Sequence, residues 1–132
     1  MIRILLVDDQ PAVRQGLRMR LALETNWLVI GEADDGAPAL DMTAALRPDV
    51  VVMDAEMPGM GGIAACAALR ELAPASAVVI LTLYDDMATR RRALDAGAIA
   101  FVGKSEGAEA LTAAIRRAAS RPPPSTGQRP KA

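Results

Sequence analysis

VVVMDAEMPGMGG, residues 50–62, is the stretch from which the fold can be read. Four apolar residues come first, and they stop at a carboxylate, Asp54. A short apolar run without polar alternation is typical of a strand that is covered on both faces, as in a parallel sheet. Pro58 and three glycines in residues 59–62 follow, which is the composition of a turn. The stretch therefore predicts a buried strand that carries Asp54 to one edge of a parallel sheet.

Strands of the same kind alternate with helical segments along the rest of the chain. The other apolar runs are residues 2–7, 28–30, 77–83 and 98–102. The helical segments are a first one that starts near Pro11, with Val13, Leu17 and Leu21 on one face, and then residues 37–46, 63–72, 86–96 and 108–120. Five strands in strict alternation with five helices predict an α/β fold with a parallel sheet and right-handed crossovers.

The composition limits both the core and the chemistry. The chain of 132 residues has the length of one ordinary domain and contains one Trp, one Tyr and one Phe, so the core must be aliphatic. It contains no histidine, which excludes Ser-His triads, His-ligated metal sites and a phosphohistidine on this chain. Cys66 is the only cysteine, so a disulfide within the chain is excluded, and we expect Cys66 to pack in the third helix.

A change in composition at Arg121 separates a globular part from a tail. Residues 121–132, RPPPSTGQRPKA, are rich in proline, lack apolar periodicity and carry three bases but no acid. Residues 1–120 therefore hold 12 bases against 16 acids, a net charge of −4. We expect one domain at 1–120 and a Pro-rich linker or disordered tail at 121–132. No apolar stretch approaches the roughly 20 residues of a membrane span, and we expect a cytoplasmic protein without membrane contact.

Polar side chains mark the ends of four of the predicted strands. Asp8 and Asp9 end the first strand, Asp54 ends the third, Thr82 ends the fourth, and Lys104 follows the fifth. In open parallel α/β sheets, ligands bind at the carboxyl ends of the strands. Each of these residues alone is common at a strand end, but together they predict a site at one edge of the sheet.

Three carboxylates that lie together repel one another unless a cation or protons offset their charge. A ligand set made only of oxygen atoms favours a hard ion, most simply Mg²⁺. With Lys104 and the Thr82 hydroxyl on the other side, such a site is suited to hold the oxygens of a phosphoryl group. The remaining carboxylate can then act as the nucleophile and form an acyl phosphate.

Four sequence motifs carry a resemblance to a known family. The motifs ILLVDD, VVVMDAEMPGMGG, VVILTL and AFVGK together resemble the response-regulator receiver domain of two-component signalling, over residues 1 to about 120. The phrase VRQGLRMRL in the first helix is similar to the NarL/FixJ type. The resemblance implies a flavodoxin-like (βα)5 fold, a doubly wound sandwich with the strand order 2-1-3-4-5.

The resemblance also implies a role for each acid at the site. Asp54 would be the phosphoacceptor. Asp9 and Asp54 would bind Mg²⁺ directly, Asp8 would help through a water molecule, and the backbone carbonyl of Glu56 would complete the protein ligands. The domain would catalyse only its own phosphorylation and dephosphorylation, and it would otherwise not be an enzyme.

The resemblance further implies a switch and a set of partners. Thr82 and Lys104 would contact the phosphoryl group, and Phe101 would be the aromatic residue that rotates on phosphorylation. Activation would repack the surface at residues 87–119, with a homodimer as one outcome. A sensor histidine kinase would supply the phosphoryl group. DNA would be bound only through a helix-turn-helix output domain, of which the 132 residues show no pattern, so the chain is expected to be a stand-alone receiver or a piece of a longer regulator.

The chain departs from the family pattern at three positions. Ser105 stands where receiver domains often have a proline in a cis peptide, Gly61 stands where an acid is common, and Phe101 replaces a more usual tyrosine. Two further residues, Glu56 and Tyr84, would flank the phosphoryl group. We hypothesise that they tune the access of hydrolytic water.

Three other interpretations fit parts of the pattern. In a haloacid-dehalogenase-type phosphatase a strand also ends on an aspartate nucleophile, but a second aspartate would replace Glu56, and multiple turnover of a phosphate ester would identify such an enzyme. Residues 59–64, GMGGIA, match a G-x-G-x-x-A dinucleotide pattern, but no acid closes the next strand about 20 residues later. The third interpretation is an adaptor with a vestigial site, although no required side chain is missing.

Overall fold

The computed structural model describes residues 1–121, in which five strands alternate with five helices. The predicted linker or tail at 121–132 lies outside the described residues except for Arg121. The strands are Ile2–Val7 (β1), Trp27–Ala33 (β2), Val50–Asp54 (β3), Ala77–Thr82 (β4) and Ala100–Gly103 (β5). The helices are Pro11–Leu21 (α1), Gly36–Leu46 (α2), Gly62–Leu72 (α3), Met87–Asp95 (α4) and Ala108–Ala119 (α5), and a short 3-10 helix, Lys104–Glu106, precedes α5.

The strands form a single parallel sheet in the order β2-β1-β3-β4-β5. This is the flavodoxin-like order that the resemblance implied, and the prediction is confirmed. Strands β1 and β3 run side by side, with Val7 paired to Met53. Because all carboxyl ends point the same way, the residues that follow β1 and β3 meet at the middle of one edge.

Successive side chains of each strand point to opposite faces, so the sheet has two cores. Along β1, Leu5 and Val7 pack with buried residues of α2, α3 and α4, whereas Ile4 and Leu6 pack with those of α1 and α5. The largest fully buried side chains are aliphatic residues and one methionine, as the composition predicted. None of the helices in residues 1–121 is long and apolar enough to cross a membrane.

Three of the element boundaries that differ from those predicted have a clear structural cause. Strand β2 extends over 27–33, beyond the apolar run 28–30 with its flanks, since the polar Glu32 is held within the strand by ion pairs with Arg14 and Arg18 of α1. Strand β5 begins at Ala100 rather than at residue 98, since the Ala98 N–H donates to the Ala93 carbonyl in the turn after α4, and the pairing with β4 starts only at Ala100. Helix α4 begins at Met87, because Asp86 caps the helix instead of joining it.

Candidate functional site

The three predicted acids lie together at the carboxyl edge of the sheet. This edge is formed by the residues that end or follow β1, β3, β4 and β5. Asp8 and Asp54 are 2% and 4% exposed, and Asp9 beside them is half-buried. One carboxylate oxygen from each of the three lies within 4.8 Å of the others. The sequence prediction that acids from two different strands converge is therefore confirmed.

Lys104 lies on the other side of this cluster, at the start of the 3-10 helix after β5. Its ammonium nitrogen is 3.3 Å from Asp8 Oδ2 and 3.3 Å from Asp54 Oδ2, and its side chain is 17% exposed. Burial acts to lower the pKa of Lys104, but the two carboxylates outweigh that effect and raise the pKa above its ordinary value. The lysine therefore carries a fixed positive charge between two buried acids.

The carboxylate of Asp54 is held through both of its oxygens. Oδ1 accepts a hydrogen bond of 3.0 Å from the backbone N–H of Glu56, and Oδ2 faces Lys104. Burial raises the pKa of Asp54 to about 6, and the charge of Asp8 adds to this effect, while the Glu56 N–H and Lys104 oppose it. At neutral pH the group is mostly ionised, in surroundings that disfavour the charge.

The donor set fits a hard divalent cation. Three carboxylates offer oxygen atoms close together, and neither nitrogen nor sulfur ligands belong to the group. Burial, and after it the charge of Asp8, raises the pKa of Asp54, and a cation bound beside it would oppose both effects. The carboxylate of Glu56 lies outside this group and points to Thr82 instead. The predicted role of Glu56 through its backbone carbonyl stays a prediction.

Thr82 ends β4 beside the acids and is fully buried. Its hydroxyl donates a hydrogen bond of 2.5 Å to Glu56 Oε2. The same oxygen accepts a hydrogen bond of 2.9 Å from the backbone N–H of Tyr84. Sequence reasoning placed Thr82 at the site, but it did not foresee that a carboxylate on the neighbouring strand end would occupy its hydroxyl.

Phe101 lies in β5, the strand next to β4 on the side away from the acids. Its side chain is buried against the core beneath α4, and the guanidinium of Arg90 lies 5.1 Å from the centre of its ring. Arg90 is exposed, and its guanidinium covers this ring. The rotation of Phe101 stays a prediction, as do the roles of the other site residues.

A contact between α2 and the loop after β3 was not predicted from the sequence. Asp35 caps α2 by accepting from Gly36 N–H at 2.6 Å, and the same oxygen accepts from Met60 N–H at 3.2 Å. A Cβ on Gly36 would lie 2.6 Å from the carbonyl oxygen of Met60, so only glycine fits there. An acid directly before a helix start is an N-cap signal, which could have identified Asp35 but not its second partner.

The glycines of residues 59–62 are explained by this turn. Gly59 has a φ of +73°, a conformation that favours glycine. A Cβ on Gly62 would lie 2.1 Å from the carbonyl oxygen of Asp54, which the start of α3 closely approaches. The glycines therefore let the chain return past the end of β3, and the match to a dinucleotide pattern needs no nucleotide.

Arg14 is a second residue whose position the sequence did not indicate beyond its place off the buried face of α1. Its guanidinium donates a hydrogen bond of 2.5 Å to the backbone carbonyl of Asp8 and forms an ion pair of 3.0 Å with Glu32. Burial acts to raise the pKa of Glu32, but hydrogen bonds from Arg18 and Arg14 lower it overall. The arginine thus anchors the backbone of the acidic pair to the edge strand.

The sequence is similar to known regulators over most of its length. A family model described as the response regulator receiver domain matches residues 4–116. The response regulator GacA of Pseudomonas aeruginosa is 38% identical over 117 residues, which are 89% of this chain and 55% of GacA. The transcriptional regulatory protein YxjL of Bacillus subtilis is 38% identical over 118 residues, 89% of this chain and 54% of that protein. The chain thus spans about half the length of the curated relatives it matches.

Solved structures of response regulators are also similar to this chain in their fold. A two-component response regulator of the LuxR family from Aurantimonas has a TM-score of 0.85 at 37% identity, over 92% of this chain and 87% of that chain. The response regulator domain of Thermotoga maritima CheB has a TM-score of 0.86 at 31% identity, over 93% of this chain and 99% of that chain. These likenesses do not favour the phosphatase interpretation.

Proposed function

Because this chain belongs to the family of response regulator receiver domains, we propose that Asp54 accepts a phosphoryl group from a phosphorylated histidine of a sensor kinase. The observation that carries this proposal is the buried carboxylate of Asp54, which lies 3.3 Å from a lysine and beside two further acids. A structural ion pair would require one acid for one base. Three clustered acids with one lysine leave an excess of negative charge, which favours a second cation, and that cation together with Lys104 would attract a phosphoryl group.

The proposed transfer is a direct displacement at phosphorus. A carboxylate oxygen of Asp54 forms the new P–O bond while the P–N bond to the donor imidazole breaks, and the imidazole nitrogen keeps the electron pair and is then free to take a proton. The Glu56 N–H fixes the orientation of the Asp54 carboxylate before the reaction. Lys104 and the Thr82 hydroxyl then bind the phosphoryl oxygens, which would otherwise repel the acids.

Mg²⁺ fits the acid cluster, and we propose that Asp9 and Asp54 hold it directly, with Asp8 acting through water and the carbonyl of Glu56 completing the protein ligands. When bound, the ion offsets the negative charge of the acids and of the incoming phosphoryl group. The part of the chain itself is to hold these oxygens together. Both Arg14, through the Asp8 carbonyl, and Lys104, through the Asp8 carboxylate, support that arrangement.

Receiver domains are generally signal receivers, and we propose that this one catalyses only its own phosphorylation and dephosphorylation. Its relatives include a response regulator and a transcriptional regulatory protein, of which the matched residues make up 55% and 54%. We therefore propose that phosphorylation repacks the surface of α4, β5 and α5, promotes a homodimer and regulates transcription through an output domain. The domain at 1–120, the linker or tail at 121–132 and the cytoplasmic location stay predictions from the sequence.

Incubation with acetyl phosphate and Mg²⁺ tests the proposal, with intact-protein mass as the readout. We expect a single phosphoryl group that is lost in Asp54→Asn and when Mg²⁺ is chelated. Asp34→Asn is the matched control, since Asp34 is an exposed acid after β2. Equal modification of wild type and Asp54→Asn, or modification without Mg²⁺, would overturn the proposal.

The same preparation separates the two remaining alternatives. A haloacid-dehalogenase-type phosphatase would release many equivalents of phosphate from an ester, whereas a receiver releases at most what it has accepted. An adaptor with a vestigial site would remain unmodified under all conditions. Either result would contradict the assignment of Asp54 as a phosphoacceptor with a working site.

A further inference from the structure

We propose that Glu56 is a positioning residue that holds the Thr82 hydroxyl away from the phosphoryl group, so that a phosphoryl group on Asp54 must displace Glu56 to recruit Thr82. This inference rests on the proposed function. It assigns to the Glu56 side chain a role in setting the affinity of the site. The backbone of the same residue acts separately, through its N–H bond to Asp54.

The argument begins with the single proton of the Thr82 hydroxyl. A threonine hydroxyl donates one hydrogen bond, and here the bond goes to Glu56 Oε2 at 2.5 Å. The Tyr84 carbonyl lies 3.5 Å from the hydroxyl and is a much weaker competitor for that proton, while the contact of 2.9 Å from the Tyr84 N–H uses the threonine oxygen as an acceptor. The same proton cannot at once bind a phosphoryl oxygen. In the structure described here the hydroxyl is therefore committed to Glu56.

The bond to Glu56 is a strong competitor. A hydroxyl that donates to an ionised carboxylate forms a bond roughly twice as strong as one to a neutral acceptor. Thr82 is fully buried, so water does not replace the carboxylate at low cost. If the receptive arrangement is only a fraction of the population, the apparent affinity for a phosphoryl group falls by that fraction.

The surroundings of Glu56 allow the carboxylate to leave. Glu56 itself is half-buried. Leu83 and Tyr84, which follow Thr82 after the end of β4, are mostly exposed. The Leu83 N–H also points to the Glu56 carboxylate, at a long 3.4 Å. Displacement of Glu56 therefore releases the segment before α4 together with Thr82. This connects the acyl phosphate to the surface that the family repacks.

Calorimetric titration with beryllofluoride in the presence of Mg²⁺ measures the competition. We compare wild type with Glu56→Gln, which keeps the shape of the side chain and replaces the ionised acceptor with a neutral one. Halving the strength of the competing bond should tighten binding about tenfold. The matched control is Glu71→Gln, which removes the same charge from the exposed last turn of α3 and should leave the affinity unchanged.

A double-mutant cycle shows whether Glu56 acts through Thr82 or through its charge alone. Thr82→Val removes the hydroxyl but keeps the volume of the buried side chain. In this background Glu56→Gln should give no gain, because no hydroxyl is left to release. A tenfold gain that persists there, or no gain in the single variant, would overturn the inference. Failure of wild type to bind, or equal binding by Asp54→Asn, would instead overturn the proposed function.

Discussion

The two edges of the sheet treat their polar groups in opposite ways. At the amino edge, defined by the residues around the starts of the strands, each polar group has a complementary partner. The backbone N–H of Arg3 donates to Asp49 at 2.8 Å, its guanidinium binds the carbonyls that end α2, and Ser76 donates to the Pro48 carbonyl at 2.6 Å. At the carboxyl edge, three acids lie together, and Lys104 pairs with only two of them, Asp8 and Asp54.

The contacts of the amino edge contribute to the stability of the fold, whereas those of the carboxyl edge belong to the proposed site. The amino edge connects loops and helix ends to the sheet, so its contacts stabilise the fold in every state. At the carboxyl edge, Lys104 offsets only part of the charge of three clustered acids, and we expect the remaining repulsion to lower the stability of the free protein. Changes at the carboxyl edge should therefore depend on Mg²⁺ and on pH, whereas changes at the amino edge should not.

The largest expected effect comes from Lys104→Met, which removes the cation between Asp8 and Asp54. Two buried carboxylates then lose their partner, and we expect the free energy of unfolding at pH 7 to fall by about 2 kcal/mol. Mg²⁺ should restore part of the loss, since it binds the folded acids. Urea unfolding with and without Mg²⁺ measures this. For Arg3→Met at the amino edge we expect a loss that Mg²⁺ does not restore, and equal behaviour of the two variants would contradict the comparison.

Asp54→Asn should stabilise the protein at pH 7. Burial raises the pKa of Asp54 to about 6, above the ordinary value of 3.8, so the folded state binds its proton more tightly than the unfolded state does. The stabilisation that this gives is complete below the ordinary value and is lost as pH rises through about 6. Removing the charge should therefore raise the free energy of unfolding by about 1–2 kcal/mol at pH 7, with discount for relaxation of the site.

The pH profile of unfolding checks this sign. The gain of Asp54→Asn over wild type should shrink between pH 7 and pH 4 and should also shrink when Mg²⁺ is added. Asp49→Asn is the control at the amino edge, where the amide oxygen can still accept from Arg3 N–H. A variant of Asp54 that is less stable than wild type at pH 7 would show that the acids are not in net repulsion.

Asp35→Ala should affect both stability and the site, because Asp35 binds the loop after β3 as well as the start of α2. Loss of the cap should lower the free energy of unfolding by about 1 kcal/mol. Loss of the Met60 contact should weaken Mg²⁺ binding in calorimetry, since the loop carries Glu56. Asp86→Ala removes a cap from α4 and should leave Mg²⁺ affinity unchanged. Unchanged Mg²⁺ affinity in Asp35→Ala would confine Asp35 to its capping role.

The smallest expected effect is at Trp27, the only tryptophan of the chain. It begins β2 at the amino edge, and the guanidinium of Arg116 lies 5.3 Å from the centre of its ring. Its fluorescence should stay constant when Mg²⁺ and beryllofluoride bind, while Arg116→Ala should change the emission and alter stability by less than about 1 kcal/mol. A large ligand-dependent change in Trp27 would show that the two edges are coupled.

The sequence predicted the elements well because most strands are buried on both faces. The bounds of β1 were predicted correctly, since an apolar run stops directly at Asp8. The start of β5 was placed two residues early, because Ala98 and Ile99 are apolar, whereas the Ala98 N–H bonds within the turn to Ala93 and the pairing with β4 starts at Ala100. Apolar pattern thus predicts that a strand exists, whereas tertiary hydrogen bonds determine where it ends.

The gathering of the acids and Lys104 was predictable for a topological reason. Parallel strands deliver their last residues to one edge, so position along the chain was enough to bring Asp8, Asp54 and Lys104 together. The bond from Thr82 to Glu56 and the contact of Asp35 with Met60 were not predictable in this way. The first contact joins residues that are 26 positions apart in the chain, and the second joins residues that are 25 positions apart. Both depend on side-chain directions that the periodicity of the sequence does not encode.

The contact between Lys104 and Asp8 joins residues 96 positions apart in the chain. During synthesis on the ribosome, Asp8 and Asp54 leave the exit tunnel well before Lys104 does. A nascent chain that lacks β5 presents acids without their lysine and so cannot hold a phosphoryl group in the proposed way. We therefore expect the proposed phosphoryl transfer to require that β5 has been translated, since Lys104 follows this last strand.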